Sequence, residues 1–300
     1  MTLFHLLPLA VLARFGDRQG DLNSLSDYAE THIAEYMPHI APEWRKPCGA
    51  MLRGEAFSFA QGWQDWVLYH QYFKGERRKW GQGFYVDIGT NHATDISNTL
   101  FFDKCLGWRG VCFEPQEQYH DLIRRKRGCK LIPHCVLGKA AAVKGSHSGV
   151  SFHVDVVDAS DTSGSMRCVG LDDVIAELGE STVDIVSIDI EGNEPAVLRC
   201  FPFEQHHVSF WLVEVNKHDL RQVDLFFHRH GYASVETFLN KASTSVNYWI
   251  DTLYARTGVP RVYPPTVGFH CTPTMRKYMQ LWCTAWQKWK SGVTEWTSCH

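Results

Sequence analysis

Hydrophobic and polar positions along this chain change period repeatedly. From about Gly83 onward, short β-rich apolar runs alternate with stretches of helical spacing. That pattern predicts an α/β domain built on a largely parallel sheet. Gly83 to Ile88 is the first predicted strand, with a helix from Thr94 to Leu106 behind it. Gly110 to Glu114, stopped by Pro115, is the second, and a helix from Gln116 to Arg127 places Tyr119, Leu122 and Ile123 on one face. Lys130 to Leu137 is a third strand, whose internal Pro133 points to an edge or a bulge. An insertion from Gly138 to Gly170 contains the alternating set Val150, Phe152, Val154 and Val156, a half-buried strand, and then a polar loop over 158–165. A helix from Leu171 to Leu178 leads into the buried strand Val183 to Ile190. Val208 to Val215 is the fifth strand; Leu220, Val223, Phe226 and Phe227 mark a helix, and Tyr232 to Phe238 with Ser245 to Tyr254 form a closing pair.

Four regions follow from this reading. Residues 1–22 are an apolar N-terminal segment, 23–80 a helical extension, 81–256 the α/β domain, and 257–300 a linker with a tryptophan-rich helix. The run from Met1 to Ala13 has the length and small-residue end of a secretory signal peptide but lacks a basic start. The other reading is an apolar helix resting on the domain. In the C-terminal region, Met275, Met279, Trp282, Trp286 and Trp289 make a helical seam. A packed amphipathic helix is the favoured reading of it, with peripheral membrane contact as the minority one.

Composition narrows the function classes. The 300 residues are 44% hydrophobic and 21% charged, as in a folded globular protein, and the net charge of -3 provides no global field for nucleic acid. No stretch reaches the ~20 apolar residues of a spanning helix. Among the 10 cysteines no C-x-x-C pair occurs, which argues against structural zinc. Cys105, Cys112, Cys129, Cys135, Cys168 and Cys200 fall in or beside core segments, where free cysteine packs as a small hydrophobe. Cys48, Cys271, Cys283 and Cys299 lie in the flanks, where disulfides form if the protein is secreted. Spacing leaves both readings open, and with them a secretory or a cytoplasmic location.

Candidate chemistry lies at the strand ends. Asp87, Gly89 and Asn91 follow the first strand, where a doubly wound sheet places the nucleotide part of a ligand. Only Gly89 remains of a G-x-G-x-x-G turn, and Asp87 with Glu114 would face a phosphate with negative charge. S-adenosylmethionine has no phosphate and carries a sulfonium and an amine, so it suits this acidic loop better. Asp189, Glu191 and Glu194 crowd the end of the fourth strand. Such a cluster is costly unless it holds something cationic or protic. For Glu194 alone, the positive end of the next helix is an equal explanation. Arg124 to Arg127 ends a helix, where positive charge favours the dipole.

The runs Gln64 to Leu68, Phe84 to Asn91, Ile96 to Lys104, Leu106 to Pro115, Leu171 to Ile175 and Ile188 to Glu194 together resemble the FkbM family of methyltransferases. The resemblance covers roughly residues 60–255 in the family's order. It implies a seven-stranded class I methyltransferase sheet, mostly parallel with an antiparallel last strand and helices on both faces. It also implies S-adenosylmethionine as cofactor and O-methylation of a hydroxyl on a glycan or small metabolite. By position, Asp87, Gly89 and Asn91 would line the methionine end, Glu114 the ribose, and Asp189 and Glu191 the transferred methyl. Ala93 departs from the family's usual glycine.

Glu191 is the first candidate general base and His218 the second. A divalent cation held by Asp189, Glu214 and Asn216 is a weaker version of the site. The competing class is a non-catalytic binding or trafficking module that keeps the fold. A nucleic-acid substrate would call for a basic cleft, which the acidic strand ends oppose.

Overall fold

The continuous apolar strands of the sequence lie between two covered faces of one sheet. The computed structural model describes residues 33–55, 57–74, 79–148, 151–156, 166–171, 182–215, 218–239 and 250–259. Its strands are β1 (Phe84–Ile88), β2 (Arg109–Phe113), β3 (Lys130–Ile132), β4 (Cys135–Leu137), β5 (Ala141–Ser148), β6 (Ser151–Val156), β7 (Met166–Gly170), β8 (Thr182–Ile188), β9 (His207–Glu214), β10 (Tyr232–Leu239) and β11 (Ile250–Arg256). Seven of them form a sheet in the order β10-β11-β9-β8-β1-β2-β3. From β3 to β9 the neighbours are parallel, while β11 enters between β9 and β10 antiparallel to both. The strand order reverses between β1 and β8. The carboxyl ends at such a reversal are where an open α/β sheet forms its ligand crevice.

Side chains alternate across the sheet with the period of two that strands impose. Tyr85, Phe210 and Leu212 pack on one face with helix α1 (Pro42–Arg53), helix α2 (Gln64–Leu68), the π-helical turn Tyr69–Phe73 and helix α3 (Leu100–Leu106). Val86, Trp211 and Val213 pack on the other, against Val197 and Leu198 of helix α5 (Glu194–Cys200) and Val223 and Phe227 of helix α6 (Leu220–Arg229). Aromatic side chains of the helical extension therefore belong to the domain core: the Tyr72 ring lies 4.7 Å from that of Phe210 and the Phe73 ring 4.9 Å from that of Trp108. Helix α4 (Glu117–Lys126) buries Ile123 on the same face.

Three expectations are corrected here. The predicted third strand is two strands, because Pro133 cannot donate to a ladder. The chain leaves the sheet edge at β3 and joins a second, four-stranded sheet ordered β4-β7-β5-β6. The helix expected from Thr94 starts only at Leu100. Ile96 takes positive φ in between, as Asn91 does just before, and Thr99 Oγ1 donates to Asp87 Oδ2 at 2.6 Å. The core cysteines are not free thiols: Cys48 pairs with Cys105, Cys112 with Cys129 and Cys135 with Cys168. Strand register accounts for the last pair, since Cys135 and Cys168 are direct partners across β4 and β7.

Arg127 is a further surprise. It does not end a solvated helix but lies buried, with its guanidinium donating to Asp103 Oδ2 (2.7 Å), Thr99 Oγ1 (2.6 Å) and Ser97 Oγ (3.1 Å). It also stands 3.6 Å from Asp87 Oδ2. The apolar segment 1–13, the polar loop 158–165, residues 172–178 of the predicted helix and the tryptophan seam lie outside the described residues. No helix among the described residues is long and apolar enough to cross a membrane.

Replacing Arg127 by Met would leave Asp87 and Asp103 buried without their cation. Urea unfolding of Arg127→Met is expected to show a loss of about 3–5 kcal/mol, the usual cost of breaking a buried charge cluster from one side.

Candidate active site

Loops from the carboxyl ends of β1, β2 and β8 converge on one cleft of about 900 Å³, counting the part open to solvent. Asp87, Gly89, Asn91, Glu114, Asp189 and Glu191 line it together. The sequence singled out all six, and the fold brings them to a common cavity. Val154 of the second sheet, with His134, Cys135 and Val136, contributes another wall.

Backbone contacts stitch the floor. The N–H groups of Gly89 and Thr90 both donate to Phe113 O, and Asp189 N–H donates to Ile88 O at 3.0 Å. Gly89 has φ +84°, and a Cβ there would stand 1.9 Å from Asp189 O. Only glycine allows the β1 and β8 loops to approach this closely. Asp87 is largely committed to the loop itself, through Thr99 and Arg127. Burial raises its carboxyl pKa, and Arg127 works against that rise.

Glu114 occupies the end of β2. Its Oε2 accepts the Asn91 N–H at 2.6 Å and its Oε1 the Gln116 N–H at 2.8 Å. A carboxylate has about four acceptor sites, so capacity remains for two ribose hydroxyls. Burial pushes this carboxyl up to about 7 despite the two backbone donors.

The loop after β8 is organised by Glu194, which is 1% exposed. Its carboxylate accepts the Ile190 N–H (2.8 Å) and the Gly192 N–H (3.0 Å), and it meets His218 Nε2 at 2.6 Å. These bonds hold the intervening Glu191 at φ +60°, on the cleft wall. The helix-dipole reading of Glu194 therefore misses most of its work. His218 does not line the cleft; it braces the loop through Glu194.

Behind Asp189 stands Glu214, and the two share a hydrogen bond. Asp189 opens on the cleft, yet its carboxyl is closely surrounded by protein. Desolvation first, then neighbouring acids, raises the pKa of both members, while the hydrogen bond with Glu214 works against the rise at Asp189. Antiparallel β11 adds Asp251 directly opposite Glu214, and Gln64 of α2 donates to Asp251 Oδ2. Asp189, Glu194 and Glu214 each offer an oxygen within 4.8 Å of the others and could hold a cation, whereas Asn216 lies outside the described residues.

Sequence reasoning did not single out Asn98, Gln64 or Asp251. Asn98 lines the cleft and donates to Ser187 Oγ at 3.1 Å. Gln64 and Asn98 fall inside the runs that carry the family resemblance, which was the available signal. Asp251 had none, because its place depends on which strand β11 enters beside.

A reversed strand order, one antiparallel strand next to the edge, and acidic side chains at three neighbouring strand tips define a class I methyltransferase fold. Residues 87–234 match the family model described as the methyltransferase FkbM domain, so the chain carries an FkbM methyltransferase domain. S-adenosylmethionine is its expected cofactor. No curated protein matches the chain. Among solved structures it is similar to the methyltransferase FkbM from Methylobacillus flagellatus KT, at 16% identity over 80% of this chain and 60% of that one, with a TM-score of 0.39. It is also similar to M. capricolum TrmK in complex with S-adenosyl-homocysteine, at 10% identity over 71% and 82% of the two chains and a TM-score of 0.39.

Two pH effects follow. Glu114 accepts hydroxyl donors best when ionised, so affinity for S-adenosylhomocysteine should rise as pH increases through about 7. Calorimetry from pH 6 to 8 measures this, and Glu114→Gln should flatten the curve while weakening binding. For Glu214 the linkage has the opposite sense. A carboxyl whose folded pKa is raised binds its proton more tightly folded than unfolded, so its stabilisation is complete below the ordinary carboxyl range and is lost as pH rises. Glu214→Gln should therefore melt higher than the wild type at pH 8, with a shallower decline between pH 4.5 and 8.

Proposed function

We propose that this protein is an S-adenosylmethionine-dependent O-methyltransferase acting on a hydroxyl of a glycan or another hydroxylated metabolite. The carrying observation is that Asp189 and Glu191 share the cleft with Glu114 and Gly89. Proton-accepting groups thus stand beside a loop suited to a cationic, phosphate-free donor.

The residues present fit that cofactor. Glu114 has acceptor capacity for ribose hydroxyls, and the acidic wall of Asp189 and Glu191 attracts a sulfonium. Gly89 and Asn91 would hold the methionyl end, with Asp87 fixing their loop from below. When bound, S-adenosylmethionine supplies an electrophilic methyl group. The protein's own task is to align the acceptor oxygen with that methyl and to remove the hydroxyl proton as the oxygen becomes nucleophilic. Glu191 takes this proton in our reading, and Glu194 keeps it in position. His218 acts through Glu194 as a positioning residue, and the Asp189–Glu214 pair sets the charge of the wall.

The acidic wall and net charge of -3 disfavour a polyanionic substrate. Disulfides persist in oxidising compartments, so three of them among the described residues support a secretory-pathway or extracellular location. A lumenal or extracellular glycan is the substrate class consistent with that location.

The test combines binding and turnover. Calorimetry with S-adenosylhomocysteine should show binding by the wild type; failure to bind would favour a non-catalytic module. Transfer of labelled methyl to a panel of hydroxylated acceptors then reads activity. Glu191→Gln should keep cofactor affinity and lower turnover by about a hundredfold or more, the scale of general-base contributions. Unchanged turnover would remove Glu191 from that role.

A further inference from the structure

We infer that Ile96 is a specificity-determining contact for the methyl donor, an apolar lip that closes over the bound cofactor. This rests on the functional reading above and adds a residue to it. Ile96 combines two features that are each unfavourable in the protein alone. It is a β-branched residue at φ +50°, where L side chains crowd their own backbone. It is also 58% exposed, the one large apolar side chain among the described cleft-lining residues that stands open to water.

Neither feature is an accident of a loose loop. On one side, His92 Nδ1 accepts the Asp95 N–H at 3.1 Å. On the other, Ser97 Oγ accepts from Leu100 N–H (3.2 Å) and from the buried Arg127 (3.1 Å), while Asn98 Nδ2 reaches Ser187 Oγ. These neighbours over-determine the backbone and hold Ile96 at the cleft. Strain kept in place by surrounding contacts at a ligand site is a mark of pre-organisation.

The chemistry of the cleft points to the donor as occupant. Its wall is acidic at Asp189 and Glu191, which serves a sulfonium, but a methionyl chain and a ribose also present CH groups that need an apolar cover. Ile96 shares the cleft with Gly89 and Asn91 of the same β1–α3 loop. An aliphatic group there excludes water and so strengthens the attraction between the carboxylates and the positive sulfur.

The experiment titrates S-adenosylhomocysteine into wild type, Ile96→Asn, Ile96→Gly and Ile96→Leu by calorimetry, with ligand-free melting curves for each. Asn and Gly accept positive φ and lack the apolar surface, so both variants should melt at or above the wild-type temperature. Both should bind about tenfold more weakly, the scale of losing part of an isoleucine's burial. Ile96→Leu, which keeps the apolar reach, should stay within about threefold of the wild type. Wild-type affinity in Ile96→Asn and Ile96→Gly, or a loss in Ile96→Leu as large as theirs, would overturn the inference. A wild type that fails to bind would instead sink the functional reading itself.

Discussion

Repulsion among crowded carboxyl groups is the constraint around which this molecule is arranged. Asp189, Glu194, Glu214 and Asp251 come from three different elements and the turn after β8; Asp251 and Glu194 raise the electrostatic cost of ionising Asp189, and Asp189 and Glu194 that of ionising Glu214. Charges of one sign at such distances cannot all persist in a medium that screens poorly. The fold answers with two devices. Backbone N–H groups and a histidine surround Glu194, and burial with mutual repulsion raises the carboxyl pKa of Asp189 and of Glu214, which eases protonation within that pair. What remains facing the cleft is a negative wall able to attract a cation and accept a proton.

Holding that wall in place requires a stiff support on the other side of the crevice. Arg127 supplies it at the centre of a buried network that reaches Asp87, Thr99, Asp103 and Ser97. The same guanidinium that neutralises Asp87 and Asp103 thus fixes both ends of the loop that carries Asn91 and Ile96. Stability and site geometry are coupled here because one residue serves both. The Cys112–Cys129 disulfide adds a covalent restraint beside it, tying β2 to the segment that opens β3.

The second sheet shows how an insertion can become part of a site. A chain that reaches Pro133 cannot extend β3, so it turns into β4 and closes one wall of the cleft with Val136 and Val154.

Much of the architecture was legible in the sequence because short-range physics decides it. Continuous apolar runs such as Val183 to Ile188 specify strands buried on both faces, and the acids that follow them specify chemistry at the strand tips. Asp87, Glu114, Asp189 and Glu191 could be singled out on those grounds, Gly89 as a turn residue and Asn91 through the family resemblance, and all six meet in one cleft. Other features depended on partners distant in the chain. Nothing local to Arg127 distinguishes it from Arg124 or Arg125; it is buried because Asp87 and Asp103 wait for it across the core. Cys48 reads as a flanking cysteine until α1 packs on α3 and brings it to Cys105. Asp251 joins the acidic cluster only because β11 enters antiparallel beside β9. Periodicity and residue type determined the elements and the chemistry at their ends, since both act over a few residues. Which charges neutralise one another and which thiols pair was decided by tertiary structure alone, because those energies depend on distances that no local pattern encodes.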